Sequence, residues 1–271
     1  MRLLLAGGAS GDADLEDALI GAPSLDIVGH ERPDAQASVL TAADAGNASD
    51  VGIPCAVFAS AVAGTAGLST LQAARGSGVS VLAPALHRPP HSLLRASLDT
   101  GRIGTPRFLR WTRWAPVDPG ELAGALIDEL VAVLDLMGRP AVTAYAAGQA
   151  VGAEGPDYVT AILTFERGLT AVLDVGAAAS GGQPFDRAML IGGNGSIHAD
   201  GRASSALRLG ASDSTPLDLD GPIAGHIRAV EAFTRGESLD LDQATQAAAV
   251  QDAVLASLES GRAEAVLEST G

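Results

Sequence analysis

The 271-residue chain contains no lysine: all 17 of its basic residues are arginine. No Schiff base, P-loop lysine or lysine-borne proton relay can operate in it. Cysteine is nearly absent as well. Cys55 is the only one, which excludes a disulfide framework and a cysteine-based zinc site. Within the apolar run IPCAVFAS it reads as a buried, inert thiol rather than a nucleophile. Aromatic residues make up only 3 %, so the core must rely on Leu, Val, Ile and Ala. No stretch approaches the ~20 apolar residues of a membrane-spanning helix. The apolar part of MRLLLAGGAS falls short of the ~7–15 residues of a signal-peptide core, so it reads as a buried strand and the protein as cytoplasmic. No G-x-S-x-G elbow occurs, and no metal site is expected.

What is present is globular. The hydrophobic fraction is 47 % against 18 % charged residues, enough for a large core. The net charge is −15, a long-range field that repels nucleic acid and anionic membranes. Neither is expected as a partner.

The first hundred residues alternate short apolar runs with helical patterns. Strands are expected at Arg2–Ala6, Leu25–Val28, Ile53–Ala59 and Val79–Ala83, and helices at Asp14–Ile20 and Leu68–Ala74. Continuous apolar strands alternating with helices predict a parallel sheet covered on both faces. The pattern changes after GRIGTP. Arg107–Trp114 alternates as a strand does, and Ala125–Met137 reads as an amphipathic helix ended by Gly138. The runs AVTAYAAG, DYVTAILTF, LTAVLDVGA and RAMLIGG follow, with hairpin turns at Glu166–Gly168 and at Gly192–Ser196. Helices at Ile223–Thr234 and Gln243–Ser260 close the chain. The fold class expected is α/β: a Rossmann-like parallel-sheet domain over residues 1–104, then an α+β domain over 105–271 with a largely antiparallel open sheet.

A dinucleotide fingerprint needs glycines for a tight turn, for approach of the pyrophosphate, and for close helix packing. Here the frame is Ala6-Gly7-Gly8-Ala9-Ser10-Gly11: the last two glycines are kept and the first is alanine. Asp12 and Asp14 follow, where a helix N-terminus would otherwise attract phosphate. They suit a capped strand–helix turn as well as a cofactor loop. Where an acid should hold the ribose, the sequence reads LDIVGHERPD. Glu31 could meet the ribose and His30 or Arg32 a 2′-phosphate, or all three are ordinary loop residues.

The run SLLRASLDTGRIGTPRFLRW resembles the segment joining the two domains of the Gfo/Idh/MocA oxidoreductases, the glucose–fructose oxidoreductase and inositol dehydrogenase family. RAMLIGGNGSIHADG is similar to that family's late hairpin. GHIRAVEAFTRGE with ATQAAAVQDAVLASLESGRAEAVL resembles its terminal helix pair and closing strand. The resemblance implies a domain for NAD or NADP, an open sheet that often mediates oligomers, and hydride transfer at a hydroxyl carbon of a sugar, inositol or related small molecule. The span before GRIG is short for the family, implying a Rossmann domain trimmed by a strand–helix unit.

Working members place a lysine, in an E-K-P motif, and a histidine, in an H-D-like motif, beside the substrate. This chain has neither. The histidine position falls on Asp128, followed by Glu129. The lysine position falls near Pro84 and Ala85 or near Val57 and Phe58. Hydride removal requires loss of the hydroxyl proton, which calls for a group with a pKa near the working pH, and positive charge beside the developing alkoxide. A rescued site would use Arg88, in LHRPPH, for the oxyanion and His87 or Asp128 for the proton. Asp128 would need strong desolvation to serve. The competing expectation makes HRPPH an exposed, proline-stiffened loop and Asp128 with Glu129 the polar side of a surface helix. Arg107, Arg110, Trp111, Arg113 and Trp114 form a basic–aromatic strand, which could line a pocket or an oligomer face and is expected chiefly to pack the sheet. With both catalytic groups absent, the first expectation is a family member that has lost redox catalysis and serves as a small-molecule binding module or non-catalytic subunit, as a homo-oligomer or beside a partner. The second is an active NAD(P)-dependent oxidoreductase with a rearranged site, and the third a non-redox enzyme in the old pocket.

Overall fold

The computed structural model describes residues 2–6, 19, 22, 26–28, 37–40, 55–58, 79–115, 122–149, 157–177, 185–200, 205–210, 214–218, 224–237, 239 and 241–267. The first sheet is built from β1 (Arg2–Ala6), β2 (Asp26–Val28), β3 (Ala37–Leu40), β4 (Cys55–Phe58) and β5 (Val79–Leu82), all parallel, in the order β2-β1-β3-β4-β5. That is a doubly wound order, with its switch point between β1 and β3. The strand β3 was not expected: ASVL offers only two strong strand formers, too short a run to stand out. The helices expected at Asp14–Ile20 and Leu68–Ala74 lie outside the described residues, apart from the buried Leu19.

Two short helices follow β5 directly. The first, α1 (Pro84–His87), and the second, α2 (Pro89–Asp99), are joined by Arg88, and each starts on proline. Proline suits the first helical positions, where its missing N–H is not needed. The expectation that HRPPH is an exposed loop is therefore wrong: Arg88 and His91 are both buried.

The second sheet has nine strands among the described residues: β6 (Pro106–Ala115), β7 (Ala141–Gln149), β8 (Tyr158–Phe165), β9 (Thr170–Ala177), β10 (Phe185–Gly192), β11 (Gly195–Asp200), β12 (Ser205–Gly210), β13 (Ser214–Asp218) and β14 (Glu264–Ala265). Their order is β13-β12-β11-β10-β6-β9-β8-β7-β14, and every pairing is antiparallel except β6 with β9. Both expected hairpins are present. At the β8–β9 turn Arg167 takes φ 64° and Gly168 φ 75°.

Three helices line one face: α3 (Leu122–Met137) on β6 and β9, α2 on β10 and β11, and α5 (Leu241–Ser260) on β7. The inward residues Leu109, Trp111, Ala161, Leu163, Leu173, Leu190 and Ile197 form the core beneath them. Helix α4 (Ala224–Thr234) instead packs against the first sheet, setting Ala229, Val230 and Phe233 on Ala56, Phe58 and Leu82. Among the described residues no helix is long and apolar enough to cross a membrane.

Candidate functional site

Helix α3, LAGALIDELVAVLDLM, is apolar over most of its surface, and from Leu126 to Leu134 every residue is buried. Its two consecutive acids therefore point inward whichever way they turn. Asp128 is 9 % exposed and Glu129 2 %, so they are not the polar side of a surface helix. They face the junction between α1 and α2, just past the carboxyl end of β5, where open α/β sheets place their ligands.

Arg88 is the centre of the arrangement. Its Nη2 donates to both oxygens of Glu129 at 2.5 Å, and Nη1 donates to Asp186 Oδ1 on β10 at 3.4 Å. Asp128 Oδ2 lies 3.9 Å from Nη2. Glu129 also accepts from Trp111 Nε1 at 2.6 Å, and Arg113 Nε sits 3.8 Å from it. Arg113 Nη1 donates to Asp186 Oδ2 at 2.6 Å. Burial alone would weaken the Arg88 charge, but Glu129, Asp186 and Asp128 more than offset it and raise its pKa further. Asp186 is held below the usual carboxylate range: burial opposes ionisation, and Arg88 and Arg113 outweigh it.

Asp128 behaves differently. Burial pushes its carboxyl up to about 7, helped by Glu129 and resisted by Arg88 and by the backbone N–H of Ala85. That N–H donates to both oxygens, at 3.2 and 3.1 Å. The resemblance puts the family histidine on Asp128, and the lysine near Pro84 and Ala85 or near Val57 and Phe58; Ala85 belongs to the first alternative. Ala85 and Asp128 are thus in direct contact.

Of the three residues expected to rebuild catalysis, Arg88 and Asp128 come together and His87 does not join them. It lines a cavity of about 200 Å³ beside Leu82, Leu86, Glu237, Leu239 and Gln243. Its pKa is lowered by burial and by His91. His91 itself is spent on structure: one ring nitrogen meets Leu86 O at 2.7 Å and the other Asp135 Oδ2 at 2.8 Å. The dinucleotide candidates Gly7, Gly8, Gly11, His30 and Glu31 lie outside the described residues, and no group of three potential metal ligands occurs among the described ones.

Glu129, Trp111 and Arg113 were named from the sequence without being joined to Arg88, and Asp186 was not singled out. On β6 the alternation splits the basic–aromatic strand, Trp111 facing the core and Arg110 the open face. A usable signal existed for Glu129: an acid inside an all-apolar helix requires a buried cation.

The family model for the GFO/IDH/MocA C-terminal domain matches residues 91–198, from α2 through β11. Over that stretch the chain is similar to a Gfo/Idh/MocA C-terminal domain. Among solved structures it is similar to an NAD binding oxidoreductase from Klebsiella pneumoniae, with 17 % identity, a TM-score of 0.76, and coverage of 99 % of this chain and 90 % of that one. An oxidoreductase from Agrobacterium radiobacter, solved with NAD+, L-tartaric acid and magnesium, matches at 15 % identity and TM-score 0.76, covering 98 % of each chain. A UDP-N-acetylglucosamine 3-dehydrogenase from Acidithiobacillus ferrooxidans matches at 16 % identity and TM-score 0.72, covering 96 % of this chain and 97 % of the other. At these identities the likeness is one of fold. No curated protein matches the chain.

Proposed function

We propose that this Gfo/Idh/MocA-like protein no longer transfers hydride and serves as a small-molecule binding module or non-catalytic subunit. The observation that carries this reading is the closed contact at Asp128, where the resemblance puts the family histidine and, in one of two alignments, its lysine. The Ala85 N–H rests on the Asp128 carboxylate, and the nearest cation to that contact among the described residues, Arg88, is committed to Glu129 and Asp186. A guanidinium so spent has little left for a developing alkoxide, and it is too basic to supply a proton. Assembly would use the open face of the nine-stranded sheet, where Tyr145, Ile162 and Ile191 are each about 40 % exposed.

One observation favours the alternative, an active NAD(P)-dependent oxidoreductase on a sugar, inositol or related substrate: a carboxyl with pKa about 7 can act as an acid–base near neutrality. Titration with NADH and NADPH, followed by turnover assays, separates the two. The proposal expects no turnover whether or not a cofactor binds. Tight cofactor binding with turnover abolished by Asp128→Ala would establish the alternative. Mass measurement in solution tests assembly, and a monomer at high concentration would remove it.

A further inference from the structure

Protein interiors leave few voids larger than a water molecule, so the cavity of about 200 Å³ that His87 lines calls for an occupant. It is enclosed by β5 with α1, by α4, and by the return of the chain from α4 into α5. That return is pinned to the first sheet by Leu239, whose N–H donates to Val81 O at 3.1 Å. Small side chains leave the space open. Ala83, Ala229 and Ala232 stand in its wall, none more than 3 % exposed.

The polar groups at the cavity are gathered and uncommitted. His87, Glu237 and Gln243 all line it. Among the described residues neither the His87 ring nor the Gln243 amide has a hydrogen-bond partner. Glu237 gives Oε1 to Arg235 Nε at 2.9 Å and keeps Oε2. Little net charge awaits a ligand. Burial first, then His91, Arg235 and Arg228, lower the His87 pKa against the opposing pull of Glu237, so the imidazole is neutral. Arg235 balances the Glu237 carboxylate. An anion would be repelled by Glu237, and a cation would have to compete with Arg235 for it. What remains is hydrogen bonding: a donor and an acceptor on the imidazole, both again on the amide, and one carboxylate oxygen that accepts. Apolar walls with a few convergent polar groups are the usual form of a small-molecule site. A dry cavity of about 150 Å³ takes up benzene, so this one has room for a single substituted ring or a fused pair.

We propose that this cavity is a ligand site for a small neutral aromatic molecule with one hydroxyl or N–H on its rim. The ring lies against the apolar wall, and its polar edge turns to His87, Glu237 and Gln243. This goes beyond the binding-module reading and does not depend on it, because no residue of the Arg88, Asp128 and Glu129 cluster lines the cavity.

The test adds phenol or indole to the full-length protein and follows the His87 ring nitrogens by NMR, with affinities from calorimetry. At least one of the two should shift the His87 signals saturably, with a Kd below about 1 mM, and raise the melting temperature. Benzoate and benzylammonium, charged molecules of similar size, should bind about tenfold more weakly or worse. NADH should not displace the neutral probe. Ala232→Leu, which fills the space, should weaken binding by about tenfold or more. Gln243→Ala, at an exposed position, should weaken it by about threefold. Circular dichroism checks the folding of both variants, and Gln243→Ala decides alone if Ala232→Leu does not fold. No saturable response to phenol or indole, equal binding of a charged counterpart, displacement by NADH, or unchanged affinity in a folded variant would each overturn the site. Hydride transfer is measured separately, so an active enzyme would refute the loss of catalysis and leave this result standing.

Discussion

Arg88 and Arg187 are both paired with carboxylates, and they do opposite things for the protein. Arg88 is 2 % exposed and bridges the α1–α2 junction to Glu129 on α3 and Asp186 on β10. Arg187, on the open face of the same sheet, reaches Asp200 at 2.7 Å with more than half its side chain in water. Distances in the two pairs are alike; the surroundings differ. In water an ion pair is screened, and its net worth is small. Inside, each charge has lost its hydration, and the pair holds only while every partner is present. The lesson is that proximity of charged groups says little about their role until burial is known. A buried cluster whose charges pair with one another fixes the fold at that point and leaves few groups free for chemistry.

The sharpest way to break the comparison is to remove one member from each pair. Glu129→Ala leaves Arg88 buried with its shortest contacts gone, and should cost about 3–5 kcal/mol in urea unfolding. A loss near 1 kcal/mol would mean that water reaches the cluster. Gly225→Ala should cost about 1–3 kcal/mol through overpacking, because the new methyl group meets Arg88 Cγ and the Pro84 oxygen.

Asp128→Asn sharpens the comparison through pH. In the folded protein Asp128 titrates at about 7, against roughly 4 when unfolded. The native state then binds more protons between those values, so Asp128 makes stability fall as pH rises from roughly 4 to 7, with the cost fully present above 7. The asparagine variant should therefore gain on the wild type over that interval, by on the order of 1–3 kcal/mol at pH 8. An unchanged difference at pH 4 and pH 8 would show that the carboxyl is not desolvated. The smallest effect belongs to the open face: Arg187→Ala should change stability by no more than about 1 kcal/mol, and that little should fade in high salt.

Periodicity made much of this fold readable in advance. The strand β6, the hairpin at Glu166–Gly168, the hairpin at Gly192–Ser196 and the two closing helices stand where apolar alternation and turn residues put them. The four-residue β3 was missed because a strand held by neighbours on both sides needs little pattern of its own. The site was half legible. Arg88 and Asp128 were picked out and do meet, but HRPPH misled, because prolines that signal a loop also start helices. Glu129, Asp186, Trp111 and Arg113 reach Arg88 across sequence separations that no local pattern records.

The most direct test of the central claim is turnover with NAD+ and NADP+ on a panel of polyols and sugars, from pH 5 to pH 9, comparing wild type with Asp128→Asn. The closed contact between Ala85 and Asp128, with Arg88 already committed, predicts no nicotinamide reduction by either protein at any pH. A wild-type rate that rises through pH 7 and vanishes in Asp128→Asn would show instead that the carboxyl is a working base.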